Sequence, residues 1–191
     1  MIRTSAVKKI ILVIFFLLAP TLCLAQIEDF EKSVDTQYFT ICYHSDDDLL
    51  VFVEKFNLAL SSQLASNYSS ADTFKTPGER IADLVNALFL KVSDILGIHL
   101  YSYHGKIKLC KTHDELSNLY YHYFKSPLAA EAFYFKDKES IYIALPTVEL
   151  SILGHEMGHA IMCNYFAVTP PIRLQEILAK YIEYSLRKGG I

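Results

Sequence analysis

Near its C-terminal end the chain reads His155-Glu156-Met157-Gly158-His159. Two histidines four residues apart on a helix stand one turn above the other on the same face. Imidazole nitrogens so placed can bind one Zn²⁺ at about 2.0–2.1 Å. Glu156 sits one position round the helix from His155. There it can reach a water activated by the metal without displacing it, and serve as general base. A catalytic zinc takes three protein ligands and keeps one position open. Glu176, separated from His159 by 16 residues, is the candidate third ligand. Pro170-Pro171 turns the chain between them, so the helix carrying Glu176 runs back along the first. Glu183 lies two turns after Glu176 on a similar face and is a rival for the third position. Cys163, four residues after His159, is a rival fourth ligand that would close the site as a structural zinc. Core packing is the competing role for that thiol.

The second helix carries Leu174, Glu176, Ala179, Tyr181 and Glu183 on the pattern Leu-x-Glu-x-x-Ala-x-Tyr-x-Glu. With the histidine motif, this makes residues 131–187 resemble the gluzincin zinc metallopeptidases of the thermolysin and neutral-aminopeptidase type, the peptidase MA-like class. The resemblance implies a zincin-like fold, Zn²⁺ on His155, His159 and Glu176, and Glu156 as base and acid. It also implies that a strand just before the active helix forms a sheet edge along which a peptide substrate lies. Ile141-Tyr142-Ile143-Ala144 holds that place, and edge pairing would give main-chain hydrogen bonds to the peptide. Two positions depart from the pattern. Ile177 stands where the aminopeptidases carry glycine, and Lys180 where thermolysin carries the aspartate that orients a histidine. Support behind the ligands then falls to another carboxylate, Glu183 or Asp137. No motif for a free amino terminus is visible, so aminopeptidase specificity is not expected. Tyr181, Tyr184 and Tyr142 are the candidates for stabilising an oxyanion, although Tyr181, five residues from Glu176, points away from the metal on an ideal helix and is better suited to packing.

The elements that must position these residues follow from caps and periodicity. Residues 37–44 alternate and read as a strand. Ser45 and three aspartates open a helix to about Leu64. Thr76-Pro77-Gly78-Glu79 is a capping box before a helix ending near Gly97. Residues 106–110 form a short strand. Thr112-His113-Asp114-Glu115 is a second capping box, opening a helix to about Phe124. Residues 131–135 and 140–144 are the arms of a hairpin. Pro146 opens the long helix of the histidines, and a last helix covers residues 172–187. This order is α+β: a small, mostly antiparallel sheet packed on helices.

The whole chain has 191 residues, of which 52% are hydrophobic. Part of that share is the uncharged run of residues 10–19, preceded by Arg3, Lys8 and Lys9 and followed by Cys23-Leu24-Ala25. This is the pattern of a signal peptide, residues 1–25. The run is short for a membrane span, which takes roughly 20 apolar residues. Residues 26–191 are then a single metallopeptidase-like domain, exported to the periplasm or beyond. Membrane contact is expected only if the N-terminal segment stays uncleaved. The segment holds three basic and no acidic residues, so the net charge of −3 becomes −6 for the remainder. An acidic domain without a basic block is no partner for nucleic acid. Cys42, Cys110 and Cys163 remain, and Cys42 with Cys110 could pair in an oxidising compartment. The leading expectation is an exported zinc-dependent peptidase acting on peptides or proteins. The alternative is a non-catalytic, zinc-stabilised binding or assembly protein of the cell envelope.

Overall fold

The computed structural model describes residues 28–61 and 75–188; the expected signal peptide lies outside them. The chain begins with β1 (Lys32–Asp35) and β2 (Phe39–Tyr43), followed by α1 (Asp46–Ser61) and α2 (Pro77–Leu96). Next come β3 (Gly105–Cys110), α3 (His113–Phe124) and the hairpin of β4 (Ala132–Phe135) and β5 (Ser140–Ala144). Last are α4 (Leu150–Tyr165) and α5 (Ile172–Lys188). The five helices and the five-stranded mixed sheet of the described residues make an α+β fold. None of these helices is long and apolar enough to cross a membrane.

Local chemistry explains where the helices start. Ser45 Oγ accepts from Asp48 N while Asp48 Oδ2 accepts from Ser45 N at 2.8 Å. Thr76 and Glu79 exchange the same two bonds at the head of α2, and Gly97 ends that helix in the left-handed region at φ 66°. The third box is only half made. Thr112 Oγ1 accepts from Glu115 N, but the Glu115 carboxylate turns back to Lys111 N and to His44 Nε2, both at 2.8 Å. α4 starts at Leu150 rather than at Pro146, because Pro146 sits in a separate 3-10 turn of residues Leu145–Thr147.

The sheet runs β1-β2-β3-β5-β4. Its outer pairings, β1–β2 and β4–β5, are antiparallel, and its central ones, β2–β3 and β3–β5, are parallel. The expectation of a mostly antiparallel sheet is therefore corrected. Two helices separate β2 from β3, which gives the chain room for a parallel return. β1 was not foreseen, since Lys-Ser-Val-Asp offers one apolar residue and no alternation.

The supposed edge strand is corrected too. Ile141 pairs with Ile107 of β3 on one side and with Tyr134 of β4 on the other, and every residue of β5 is buried. A run of four apolar residues suits an interior strand covered on both faces. The free edge on this side is β4.

Ile141 and Ile143 join the main core with β2, β3 and helices α1, α2, α4 and α5. Tyr142 and Ala144 face a second core under α3. Cys42, Cys110 and Cys163 are free thiols. Cys42 is in register with Lys108, so Cys110 is its diagonal neighbour, about 8 Å away by strand spacing and rise. A disulfide needs Cα atoms within about 6.8 Å.

On the α3 side one carboxylate ties distant elements together. Glu28 meets Lys108 of β3, Tyr123 of α3, Tyr142 of β5 at 2.6 Å and Lys138 of the hairpin turn at 2.9 Å. Burial alone would raise its pKa, but these four partners hold the carboxyl well below the usual range. Lys108 is itself buried, over the Tyr142 ring. Glu28→Gln leaves that ammonium without its counter-charge and should cost about 3 kcal/mol of stability. The lowered pKa fixes the sign of the pH dependence. The contribution is complete above the ordinary glutamate value of 4.5 and is lost as pH falls below it. Denaturant melts of both proteins should therefore differ most at neutral pH and converge in acid. An equal gap at all pH values would refute the role given to Glu28.

Candidate metal centre

The helix that carries the histidines is almost wholly enclosed. Leu153, Met157, Ala160 and Ile161 are fully buried in the main core. Gly154 and Gly158 mark the stripe that meets α5. A Cβ on Gly154 would overlap Leu186, and one on Gly158 would lie 2.5 Å from Ile182 Cδ1. Ala179 faces the same seam and is completely buried. Small residues on both sides let the two helix axes approach. That approach brings Glu176 over the first turn of histidines, across the Pro170-Pro171 loop.

The resulting distances are short and uniform. His155 Nε2 and His159 Nε2 are 3.3 Å apart. Glu176 Oε1 is 3.4 Å from His159 Nε2, and Glu176 Oε2 is 3.6 Å from His155 Nε2. Ligands at about 2.05 Å from a tetrahedral metal are about 3.3 Å from one another. The three donors thus stand near the separations of one face of a zinc coordination shell.

The protons on the rings sharpen this. Gln175 Nε2 donates to Pro170 O at 2.7 Å, which turns Gln175 Oε1 toward His159 Nδ1 at 3.3 Å. An amide oxygen only accepts, so His159 donates through Nδ1, and the neutral ring then offers Nε2 as a lone pair. His155 Nδ1 faces the Glu183 carboxylate at 3.5 Å, with the same consequence. Arg187 holds Glu183 at 2.8 Å and also reaches Ser151, on the first turn of α4. Two lone pairs and a carboxylate therefore point at one another. A cation turns that mutual repulsion into attraction, and the donor set of two imidazoles and one carboxylate suits zinc. Among the described residues, His155, His159 and Glu176 are the group that could hold a metal ion.

Both rivals for ligand positions are accounted for. Glu183 meets the far nitrogen of the His155 ring and stands behind the ligand. Cys163 donates its thiol to Gln175 Oε1 at 3.5 Å and lies outside the donor group. Gln175 was not foreseen, because a glutamine next to a ligand has no distinctive spacing. Its burial next to the exposed Leu174 was the only signal available.

Glu156 is buried under the same turn, and desolvation pushes its carboxyl up to about 8, partly offset by the backbone of Tyr134. Burial, then the neighbouring His159, lowers the pKa of His155 below 6.5. The three histidine-motif side chains and Glu176 open on a cleft of about 750 Å³. β4, the aromatic residues Tyr120 and Phe124, and the loop around Thr169 form its walls. Lys136 of the hairpin turn reaches Thr169 Oγ1 at 2.6 Å across one end. The tyrosines proposed for an oxyanion are elsewhere. Tyr181 and Tyr184 are exposed, and Tyr142 belongs to the core on the other side of the sheet. The tyrosines lining the cleft are Tyr120 and Tyr134.

Glu183→Gln and Gln175→Leu should each weaken zinc affinity by roughly 10–100-fold, as loss of a partner behind a histidine ligand does. Competition with a chromophoric chelator would measure it. Unchanged affinity in both would show that the ring orientations do not depend on them. Burial lowers the pKa of His155 from the ordinary histidine value, so protons compete with the metal at that ring only at lower pH than at a free imidazole, and wild-type zinc affinity should fall as the solution is made acidic.

Comparison of the chain with family models, with curated proteins and with solved structures finds no match, so the chemistry of the centre is argued from its own geometry.

Proposed function

We propose that the chain is an exported zinc-dependent peptidase of zincin-like architecture, resembling the gluzincins. The observation that carries this is the convergence of two imidazole nitrogens and the Glu176 carboxylate at 3.3–3.6 Å, beside a buried Glu156 in an open cleft. His155, His159 and Glu176 would hold the zinc. When bound, the metal supplies Lewis acidity, polarising a carbonyl and lowering the pKa of water toward about 7.

The chain's own residues do the rest. Glu156 is fixed by the packing of α4 and lines the floor of the cleft while staying buried. Its pKa of about 8 without metal moves down beside a dication, into the range where a carboxyl takes and returns a proton near neutral pH. It would accept the proton of the attacking water and pass it to the leaving amine.

The free edge of β4 orients the substrate. Ala144 N donates to Glu131 O, so alternate residues Glu131, Phe133 and Phe135 direct their main-chain groups to β5. Ala132 and Tyr134 direct theirs outward, but the Tyr134 N–H already donates to the Glu156 carboxylate, so an added strand would pair through Ala132 rather than through that N–H. A peptide in extended form can add to that edge, and Ala132–Phe135 therefore replaces residues 141–144 as the substrate strand. Glu176 is half-exposed at the mouth, which leaves the metal position accessible from the cleft.

The test is cleavage of quenched fluorescent peptides by the zinc-loaded chain and by Glu156→Gln. The variant should retain stoichiometric zinc and lose about 10²–10⁴-fold in rate. Equal rates in the two proteins would remove Glu156 from the chemistry. Stoichiometric zinc with no cleavage by either would favour the non-catalytic, zinc-stabilised protein instead.

A further inference from the structure

α5 divides its surface among three neighbours. Gln175, Ala179, Ile182 and Leu186 are buried against α4. Glu176 and Glu183 turn to His155. The residues left exposed are Ile172, Arg173, Leu174, Ile177, Lys180, Tyr181, Tyr184, Arg187 and Lys188. Each is apolar, aromatic or cationic. A helix face that meets only water carries charges of both signs and few large apolar groups.

The arrangement is ordered. Leu174, Ile177, Tyr181 and Tyr184 follow at spacings of three, four and three, which makes one stripe roughly 15 Å long. Ile177 is 57% exposed and Tyr181 56%. Arg173, Lys180 and Arg187, each seven residues apart, form a second row on the border toward the metal side. Lys188 lies over the Tyr184 ring at 4.8 Å. The end of α4 and the loop after it also expose Tyr165, Phe166 and Val168, the last 86% exposed.

We propose that this face of α5 rests on an anionic membrane surface. The charge pattern selects the occupant. Residues 26–191 carry a net charge of −6, yet the charged residues of α5 that are most exposed, Arg173, Lys180, Arg187 and Lys188, are all cations, with Arg187 paired to Glu149 and Glu183 and the half-exposed Glu176 at the border. In a two-fold contact with a second copy, each patch meets itself. Antiparallel packing would then set Lys180 near Lys180 and Arg173 near Arg187, which is repulsive. A bilayer with anionic headgroups offers the complementary charge and also accepts the apolar stripe and its tyrosines at the headgroup boundary. Membrane contact then does not require residues 1–25. The docked helix would place the metal cleft about one helix diameter, roughly 10 Å, from the headgroups. This inference does not depend on what the metal centre catalyses.

The experiment is vesicle co-sedimentation with a chain starting at Gln26, which keeps every described residue. Vesicles of phosphatidylcholine alone are compared with vesicles that also contain phosphatidylglycerol. The chain should sediment with the second kind, less so at high salt. Arg173→Gln with Lys180→Gln should weaken the partition about 30-fold. Ile177→Ser with Tyr181→Ser should abolish it, while zinc affinity and thermal melting stay unchanged, since both side chains are exposed. Sedimentation with neither vesicle, or sedimentation unaffected by the variants, overturns the proposal. So does light scattering that shows a dimer dissolved by Ile177→Ser with Tyr181→Ser, which would give the face to a second copy.

Discussion

His155 Nε2, His159 Nε2 and the Glu176 carboxylate lie within 3.3–3.6 Å of one another, a concentration of acceptor atoms that a positive charge placed among them would stabilise. The rest of the C-terminal half of this protein is organised around that constraint. Gln175 and the Glu183–Arg187 pair take the Nδ1 protons of the two rings, which leaves both Nε2 atoms facing Glu176. The metal-facing lone pairs are thus set by groups that do not touch the metal position. The orientation of both rings is held by these partners.

The approach of α4 and α5 is what makes the distances possible. Gly154, Gly158 and Ala179 remove side-chain volume from the seam. A glycine inside a helix costs about 1 kcal/mol relative to alanine, and α4 carries two. The compensation is tertiary: α4 is covered by the sheet, by α2 and by α5. The same burial that stabilises the helix removes water from Glu156 and raises its pKa. Packing and the proton-transfer capacity of the site are therefore consequences of one arrangement. The hairpin completes it, because β5 is interior and β4 is left as an edge beside the cleft.

Much of the site was legible in the sequence, for physical reasons. Metal donors belong to few residue types, and helical geometry restricts their spacing, so His155, His159 and Glu176 stood out. Capping boxes are local and declare helix starts, as Thr76 with Glu79 did. What failed was non-local. Periodicity describes a strand's faces but not its neighbours, so residues 140–144 were legible as a strand and not as an interior one. The direction of β2 against β3 depends on a crossover of two helices, which alternation does not encode. Glu28 meets Lys108 from 80 residues away, and nothing in a local pattern links them. The five-residue spacing from Glu176 already turned Tyr181 away from the metal, and the same 100° per residue carries Tyr184 to the outside as well.

Zinc K-edge X-ray absorption of the loaded protein tests the central claim most directly. The account predicts one zinc per chain in a shell of nitrogen and oxygen at about 2.0–2.1 Å, with the multiple-scattering pattern of two imidazoles. Removal of Glu176 by Glu176→Gln should change that shell while the two imidazoles remain. A sulfur scatterer at about 2.3 Å would bring Cys163 into the site and contradict an open centre. Failure to retain zinc at all would contradict the account entirely.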